Sequence, residues 1–287
     1  MERVRLDSDG IAIKTRHGHE FVGGDGSKHA ATTWLQIALL KRRLLADGPP
    51  LMLSDRVAAC DVVRFALDLD APTALLGTTP TTKGDALGMA IVPLAAQLTA
   101  ALTAALGGGG DARAATAWCL VAVPDGGGDG GKRVKWGAHV YWPLLKSTRH
   151  AGAALVEALR TAVTHDPSPL AHALGVTHFP PDAVAPPSSV IDTHMYSGPW
   201  TQLRCVGSPP KVLQPRHAAA KAAKDAALAA AGTAVPPPSG VYHVRAVLHN
   251  GTPAPPDVAS IVASYEDVLT CLAVCPTDGI DAVLTSM

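Results

Sequence analysis

Apolar and polar residues alternate along two segments near the middle of the chain, residues 62–70 and 134–142. Alternation places the apolar side chains on one face of an extended chain, so both segments are predicted to be half-buried β-strands. A third apolar segment, residues 116–123, precedes the second of these, and the Gly-rich residues between them favour a long hairpin loop. Three more segments are predicted to be extended: residues 190–197, 203–207 and 241–249.

Longer segments suited to helices separate these strands, and helices are predicted at residues 32–45, 88–106, 151–164, 217–231 and 257–274. The apolar stretch 91–106 contains Pro93 and Gln97, and it is shorter than the roughly 20 apolar residues that span a membrane. We therefore interpret it as an Ala/Leu-rich soluble helix that ends at the glycines 107–110. Helices combined with an antiparallel hairpin indicate an α+β fold.

Composition narrows the classes of protein that this chain can belong to. A length of 287 residues with 47% hydrophobic content is enough to bury a full core. Lys+Arg and Asp+Glu are balanced at 24 each, so any contact with nucleic acid must come from a local basic patch. The first ten residues lack the apolar stretch of a signal peptide. We expect an intracellular protein that is not secreted.

The cysteines agree with that expectation. Their number is odd and their spacing is wide, which favours free thiols in a reducing compartment over a disulfide framework. The five are Cys60, Cys119, Cys205, Cys271 and Cys275.

The first candidate site residues are Asp68 and Asp70, at the end of the predicted strand 62–70. On a strand they share a face, and two neighbouring carboxylates repel unless a cation lies between them. Hard divalent ions such as Mg²⁺ take oxygen ligands. The pair therefore predicts a metal site, although a strand that ends in a solvated acidic turn gives the same short pattern.

A second set of candidates lies on the predicted strand 134–142, where Lys135, Gly137 and His139 share one face. A cation and an imidazole beside a glycine form a floor on which a triphosphate can rest. A surface lysine and a histidine at the edge of the core would produce the same residues.

The third set begins at Asp192 and continues with Arg204, Ser208 and Lys211. A carboxylate followed by fixed cations suits two-metal nucleotidyl transfer, in which cations neutralise the departing pyrophosphate. An Asp that caps a turn is the simpler interpretation of Asp192 by itself.

In order and spacing these three segments resemble the archaeo-eukaryotic primase superfamily, most closely the branch that contains the eukaryotic primase-polymerase and the primases of herpesviruses and large DNA viruses. The segment ending Asp68-Leu-Asp70 is similar to the first family motif, and Lys135-Trp-Gly-Ala-His139 is similar to the second. The third motif resembles the residues from Asp192 to Lys211.

The resemblance implies a primase or primase-polymerase that synthesises primers from nucleoside triphosphates on single-stranded DNA during replication, in some cases beside a helicase. It implies an RRM-like antiparallel sheet joined to an N-terminal α/β unit, in a catalytic domain of residues 1–235 with a strand-helix extension at residues 236–287. Two Mg²⁺ or Mn²⁺ ions would be held by Asp68, Asp70 and Asp192. The nucleotide would be bound by Lys135, His139, Arg204, Ser208 and Lys211.

Two other functions stay open from the sequence. Carboxylate pairs also serve metal-dependent phosphodiesterases. The basic side chains of Lys135, Arg204 and Lys211 nevertheless favour nucleotidyl transfer, because a phosphodiesterase has no triphosphate to bind. A non-catalytic nucleic-acid-binding relative is the other alternative, and the presence of all three aspartates together with His139 speaks against it.

Overall fold

The computed structural model describes residues 20–22, 28–30, 54–56, 62–72, 84–124, 135–164, 191–197, 202–204, 222–223, 226–227, 230 and 242–253. These residues form helices and two antiparallel sheets, which confirms the α+β class. No helix among them combines the length and the apolar composition of a membrane span.

The larger sheet has five strands, and every neighbouring pair in it is antiparallel. Its strands are β4 (Val62–Pro72), β5 (Trp118–Pro124), β6 (Lys135–Thr148), β8 (Tyr242–His249) and β9 (Thr252–Pro253). They lie in the order β4-β6-β5-β8-β9. The predicted hairpin of β5 and β6 is confirmed, and so is the predicted strand at residues 241–249.

The smaller sheet joins N-terminal residues to a strand from much later in the chain. Its strands are β1 (Glu20–Val22), β2 (Lys28–Ala30), β3 (Ser54–Arg56) and β7 (Gln202–Arg204), in the order β2-β1-β3-β7. Strand β7 overlaps the predicted extended segment 203–207 at Leu203 and Arg204, and it pairs with β3 through Leu203 and Asp55. Leu203 is buried and belongs to the main apolar cluster.

The described part of the chain includes the helices α1 (Gly84–Leu106), α2 (Gly110–Ala117) and α3 (Arg149–Thr164) and the single turn α4 (His194–Ser197). Helix α1 ends at three consecutive glycines with positive φ, as the glycine run predicts. Thr148, the last residue of β6, caps α3 by accepting a hydrogen bond from the Ala151 N–H at 3.2 Å.

One prediction needs correction and one helix was missed, while one predicted helix is described only in part and two others lie outside the described residues. Helix α2 was not predicted, and residues 194–197 form the turn of helix α4 although the whole segment 190–197 was predicted to be extended. Of the predicted helix 217–231, only Ala222, Ala223, Ala226, Ala227 and Ala230 are described, and these are helical and exposed. The predicted helices 32–45 and 257–274 are not among the described residues.

The apolar positions of β4, β5 and β6 pack beneath helix α1. Phe65 and Trp142 are fully buried with ring centroids 5.5 Å apart, and Leu98 and Leu102 of α1 are buried in the same cluster. The Trp142 indole donates a hydrogen bond from Nε1 to Thr99 Oγ1 at 3.1 Å. The helices therefore cover the sheet face that carries the apolar set of the two alternating strands.

A bulge divides the pairing of β4 with β6. Arg64 pairs with Lys146 and Phe65 pairs with Trp142, so residues 143–145 of β6 have no counterpart in β4. The buried Arg64 guanidinium fills this bulge and donates a hydrogen bond to the Pro143 carbonyl.

Candidate active site

Asp68 and His139 face each other across the pairing of β4 and β6. His139 Nε2 lies 3.6 Å from Asp68 Oδ1, and about a quarter of the Asp68 side chain is exposed while His139 is almost completely buried. The two residues share a sheet face because directly paired residues of antiparallel strands point the same way. The structure therefore brings together one residue from each of the first two motifs.

The His139 ring is held on its other sides by two tyrosines. Its Nδ1 lies 3.1 Å from the Tyr141 hydroxyl. The Tyr242 ring of β8 stacks on the imidazole at a centroid distance of 3.9 Å and an interplanar angle of 13°. These contacts fix the orientation in which the imidazole presents Nε2 to Asp68.

The third motif also reaches β4. Ile191 forms an antiparallel bridge with Leu69, and the Asp192 N–H donates a hydrogen bond to the Asp68 carbonyl at 2.9 Å. Continuing this register by one residue places Asp192 opposite Asp68. Asp192 is partly exposed, and its Oδ1 accepts a hydrogen bond from the His194 N–H at 2.7 Å.

The remaining candidates of the first two motifs are located by their backbone register. Asp70 pairs with Gly137, and Lys135 pairs with Pro72 at the end of β4. Since Gly137 has no side chain, nothing projects from β6 opposite Asp70. The side chains of Asp70 and Lys135 lie outside the described part of the structure.

The predicted phosphate-binding residues of the third motif are not brought to the same place by the described contacts. Arg204 is paired with Ser54 in the smaller sheet. Ser208 and Lys211 lie outside the described residues.

No protein-family model matches the chain, and no curated protein matches it.

The donor set can be tested against the metal ions that the resemblance implies. Within the described residues, no group of three His, Cys, Asp or Glu side chains forms a metal-binding cluster. Asp68 and Asp192 are nevertheless opposite each other, and both offer the oxygen ligands that Mg²⁺ and Mn²⁺ prefer. Both carboxylates are partly exposed, and the resemblance would add Asp70, two positions along β4, as the third ligand.

Sequence reasoning missed two residues of this site, Tyr196 and Tyr242. Tyr242 is the first residue of β8, a strand of ordinary apolar pattern, so only the three-dimensional structure reveals that it stacks on His139. Burial raises the pKa of the Tyr196 phenol, and its hydrogen bond to Ala66 acts in the opposite direction. Tyr196 therefore keeps its proton and can donate a hydrogen bond.

Proposed function

We propose that this chain is a metal-dependent nucleotidyltransferase of the primase type, which synthesises primers from nucleoside triphosphates on a single-stranded DNA template. The observation that carries the proposal is the convergence of three sequence motifs on one point of β4. His139 pairs with Asp68 on one side of the strand, and Asp192 bonds to the Asp68 backbone on the other side. Segments as distant in the sequence as these do not meet by local preference.

The order of the elements also supports a primase-type core. Strand β6 lies between β4 and β5, which are connected by helices α1 and α2. Such a split β-α-β unit is part of an RRM-like sheet. An RRM sheet places its last strand beside its first, whereas β8 lies beside β5 here, and the free edge of β4 receives the segment that carries Asp192.

The residues then have distinct tasks. Asp68, Asp70 and Asp192 would hold two Mg²⁺ or Mn²⁺ ions, which when bound activate the primer hydroxyl and neutralise charge on the triphosphate. His139, which Tyr141 and Tyr242 fix next to Asp68, would contact the phosphates of the bound nucleotide.

The remaining proposed roles belong to the residues that would bind the phosphates of the nucleotide. Lys135 would bind phosphate from the start of β6, with Arg204, Ser208 and Lys211 as further contacts. The partners that follow from this chemistry are single-stranded DNA and nucleoside triphosphates, with a replicative helicase as a possible associate.

A primer-synthesis assay tests the proposal. The full chain is incubated with single-stranded DNA, labelled nucleoside triphosphates and Mn²⁺, and the products are separated by length. Asp68→Asn and Asp192→Asn should each lower incorporation by roughly 100-fold or more, since each removes a charged metal ligand at nearly constant shape. Asp111→Asn, which changes an exposed carboxylate on α2, is the matched control and should keep the wild-type rate.

Two results would count against the proposal. Wild-type incorporation by Asp68→Asn would remove the metal assignment. Shortening of the template without any extension would favour the phosphodiesterase alternative.

A further inference from the structure

The Tyr196 hydroxyl closes a gap in the edge of β4. It donates a hydrogen bond to the Ala66 carbonyl and accepts one from the Ala66 N–H, both at 3.0 Å. These two backbone groups are directed away from β6, where a further strand would otherwise pair with them. The Tyr196 hydroxyl therefore satisfies both the N–H and the carbonyl of Ala66, as a paired residue of an adjacent strand would.

The same edge binds Asp192 two residues further along. The Asp68 carbonyl accepts the Asp192 N–H at 2.9 Å, and outward-facing groups recur at every second residue of an edge strand. Between these two anchors the chain leaves the extended conformation and forms helix α4. The Tyr196 hydroxyl therefore fixes the point at which the segment after Asp192 contacts β4 again, at Ala66.

Helix α3 holds both ends of this segment from the opposite side. Arg160 donates a hydrogen bond from its guanidinium to the Ile191 carbonyl at 2.7 Å, and Arg149 donates one to the Tyr196 carbonyl at 3.2 Å. The segment Ile191–Tyr196 is thus tied to β4 and to α3 at each end.

The fit of the Tyr196 ring depends on a glycine. A Cβ atom at Gly152 of α3 would lie 2.4 Å from Tyr196 Cε1, which is too close for any real contact. On its other side the ring stacks on Phe65 with centroids 5.8 Å apart. The ring therefore has one position, and any side chain at residue 152 must displace it.

We infer that Tyr196 is a positioning residue that holds Asp192 opposite Asp68, so that both carboxylates face one metal site. This inference rests on the proposed function for its metal-binding consequence, whereas the positioning itself can be measured without any activity. A tyrosine with a purely structural role would contribute to the stability of the fold and leave Asp192 where it is.

Two variants of the full chain disturb the phenol in different ways. Tyr196→Phe keeps the ring between Phe65 and Gly152 but removes both hydrogen bonds to Ala66. Gly152→Ala keeps the hydroxyl but forces the ring to move. Gly110→Ala is the matched control, because a Cβ atom at Gly110 meets nothing within 4 Å.

Two measurements are made at a temperature at which melting curves show every variant to be folded. Amide hydrogen exchange of the Asp192 N–H reports its bond to Asp68, and we expect exchange to be about tenfold faster in Tyr196→Phe and Gly152→Ala than in wild type. Titration with Mn²⁺ alone reports the metal site. We expect affinity to fall roughly 10- to 100-fold in both variants and to stay unchanged in Gly110→Ala, as is usual when a residue that orients a metal ligand is lost.

The outcomes separate this inference from the proposed function. Unchanged Asp192 exchange in both variants overturns the positioning role, whatever the effect on melting temperature. Faster exchange of the Asp192 N–H with unchanged Mn²⁺ affinity would show that Tyr196 positions Asp192 but that this positioning does not affect metal binding. If the wild-type chain does not bind Mn²⁺, the proposed function fails, and the exchange of Asp192 still decides whether Tyr196 positions it.

Discussion

His139 lies opposite Asp68 in the pairing of β6 with β4, and its Nε2 is 3.6 Å from the Asp68 carboxylate. The face of the same imidazole stacks on the Tyr242 ring. His139 therefore makes a polar contact through Nε2 and an aromatic packing contact through its ring face. Two substitutions separate these contacts. His139→Phe keeps an aromatic ring for the stack, while His139→Gln keeps a polar group that can reach Asp68.

We expect His139→Phe to keep the stack on Tyr242, to lose the contact between Nδ1 and the Tyr141 hydroxyl, and to melt closer to wild type than His139→Gln. It should bind nucleoside triphosphate roughly 10- to 100-fold more weakly in Mn²⁺, because the charge-assisted hydrogen bond proposed between His139 and phosphate is lost. His139→Gln should instead be destabilised by about 1 to 3 kcal/mol and keep more of its nucleotide affinity. Nucleotide titration beside thermal melting measures both. Wild-type affinity in His139→Phe would show that the imidazole serves packing alone.

Lys135 and Lys146 offer a matched comparison on strand β6. Lys135 stands four residues before His139, whereas Lys146 is exposed beyond the bulge and pairs with Arg64. Lys135→Ala should weaken triphosphate binding about tenfold or more with little change in Mn²⁺ affinity, because it removes a cation from the proposed phosphate floor. Lys146→Ala should bind as wild type does. Equal losses in the two variants would indicate a general effect of net charge.

The hydrogen bond from Trp142 to Thr99 makes a prediction about stability. Thr99→Val keeps the shape of the side chain but leaves the buried indole N–H without this acceptor, so the free energy of unfolding should fall by about 1 to 3 kcal/mol. Thr103→Val is the control, since the Thr103 hydroxyl bonds only to its own helix at the Thr99 carbonyl. Denaturant unfolding measures both variants, and an equal loss would assign the effect to helix propensity.

Cys119 makes stability depend on pH in the alkaline range. Burial raises the pKa of its thiol from 9.0 to about 12, and a hydrogen bond with Thr99 acts in the opposite direction. The thiol is protonated in the folded chain and ionises first in the unfolded chain, so its contribution is fully present below pH 9 and is lost between pH 9 and about 12.

In that range Cys119→Ala should lose stability less steeply than wild type, by up to about 1.4 kcal/mol per pH unit. Unfolding in denaturant under reducing conditions from pH 8 to 11 measures the difference in slope. Parallel slopes for the two proteins would contradict the prediction.

The strands of the site could be predicted because apolar and polar residues alternate along them, and this alternation indicates which side chains are buried. Residues 62–70 alternate, and Phe65, Leu67 and Leu69 are indeed buried. That Asp68 and His139 share a sheet also follows from alternation once the two strands pair. Their direct opposition does not, because the register depends on the bulge at Arg64, which no local pattern reveals.

The features that the sequence analysis predicted wrongly or missed have two kinds of cause, one in the local sequence and one in contacts between distant segments. The extended prediction for residues 194–197 failed because the Asp192 carboxylate accepts the His194 N–H and starts a turn, the role that was considered for Asp192 alone. Helix α2 was missed because it begins at the last of four consecutive glycines, which mark a loop. The pairing of Arg204 with Ser54 joins distant parts of the chain, and local sequence carries no information on such a partner.

The bulge of β6 has a consequence for how this protein can tolerate changes in length. Residues 143–145 separate the pairs formed by Arg64 from the pairs that contain Asp68 and His139. In a continuous ladder, one inserted residue would turn every following side chain to the opposite face. At the bulge an inserted or deleted residue leaves the pairing on both sides in register, and it disturbs only the local packing of Leu145 and the contact of Arg64 with Pro143. Natural variants of this chain should therefore accumulate length differences at residues 143–145 and almost none between residues 135 and 142.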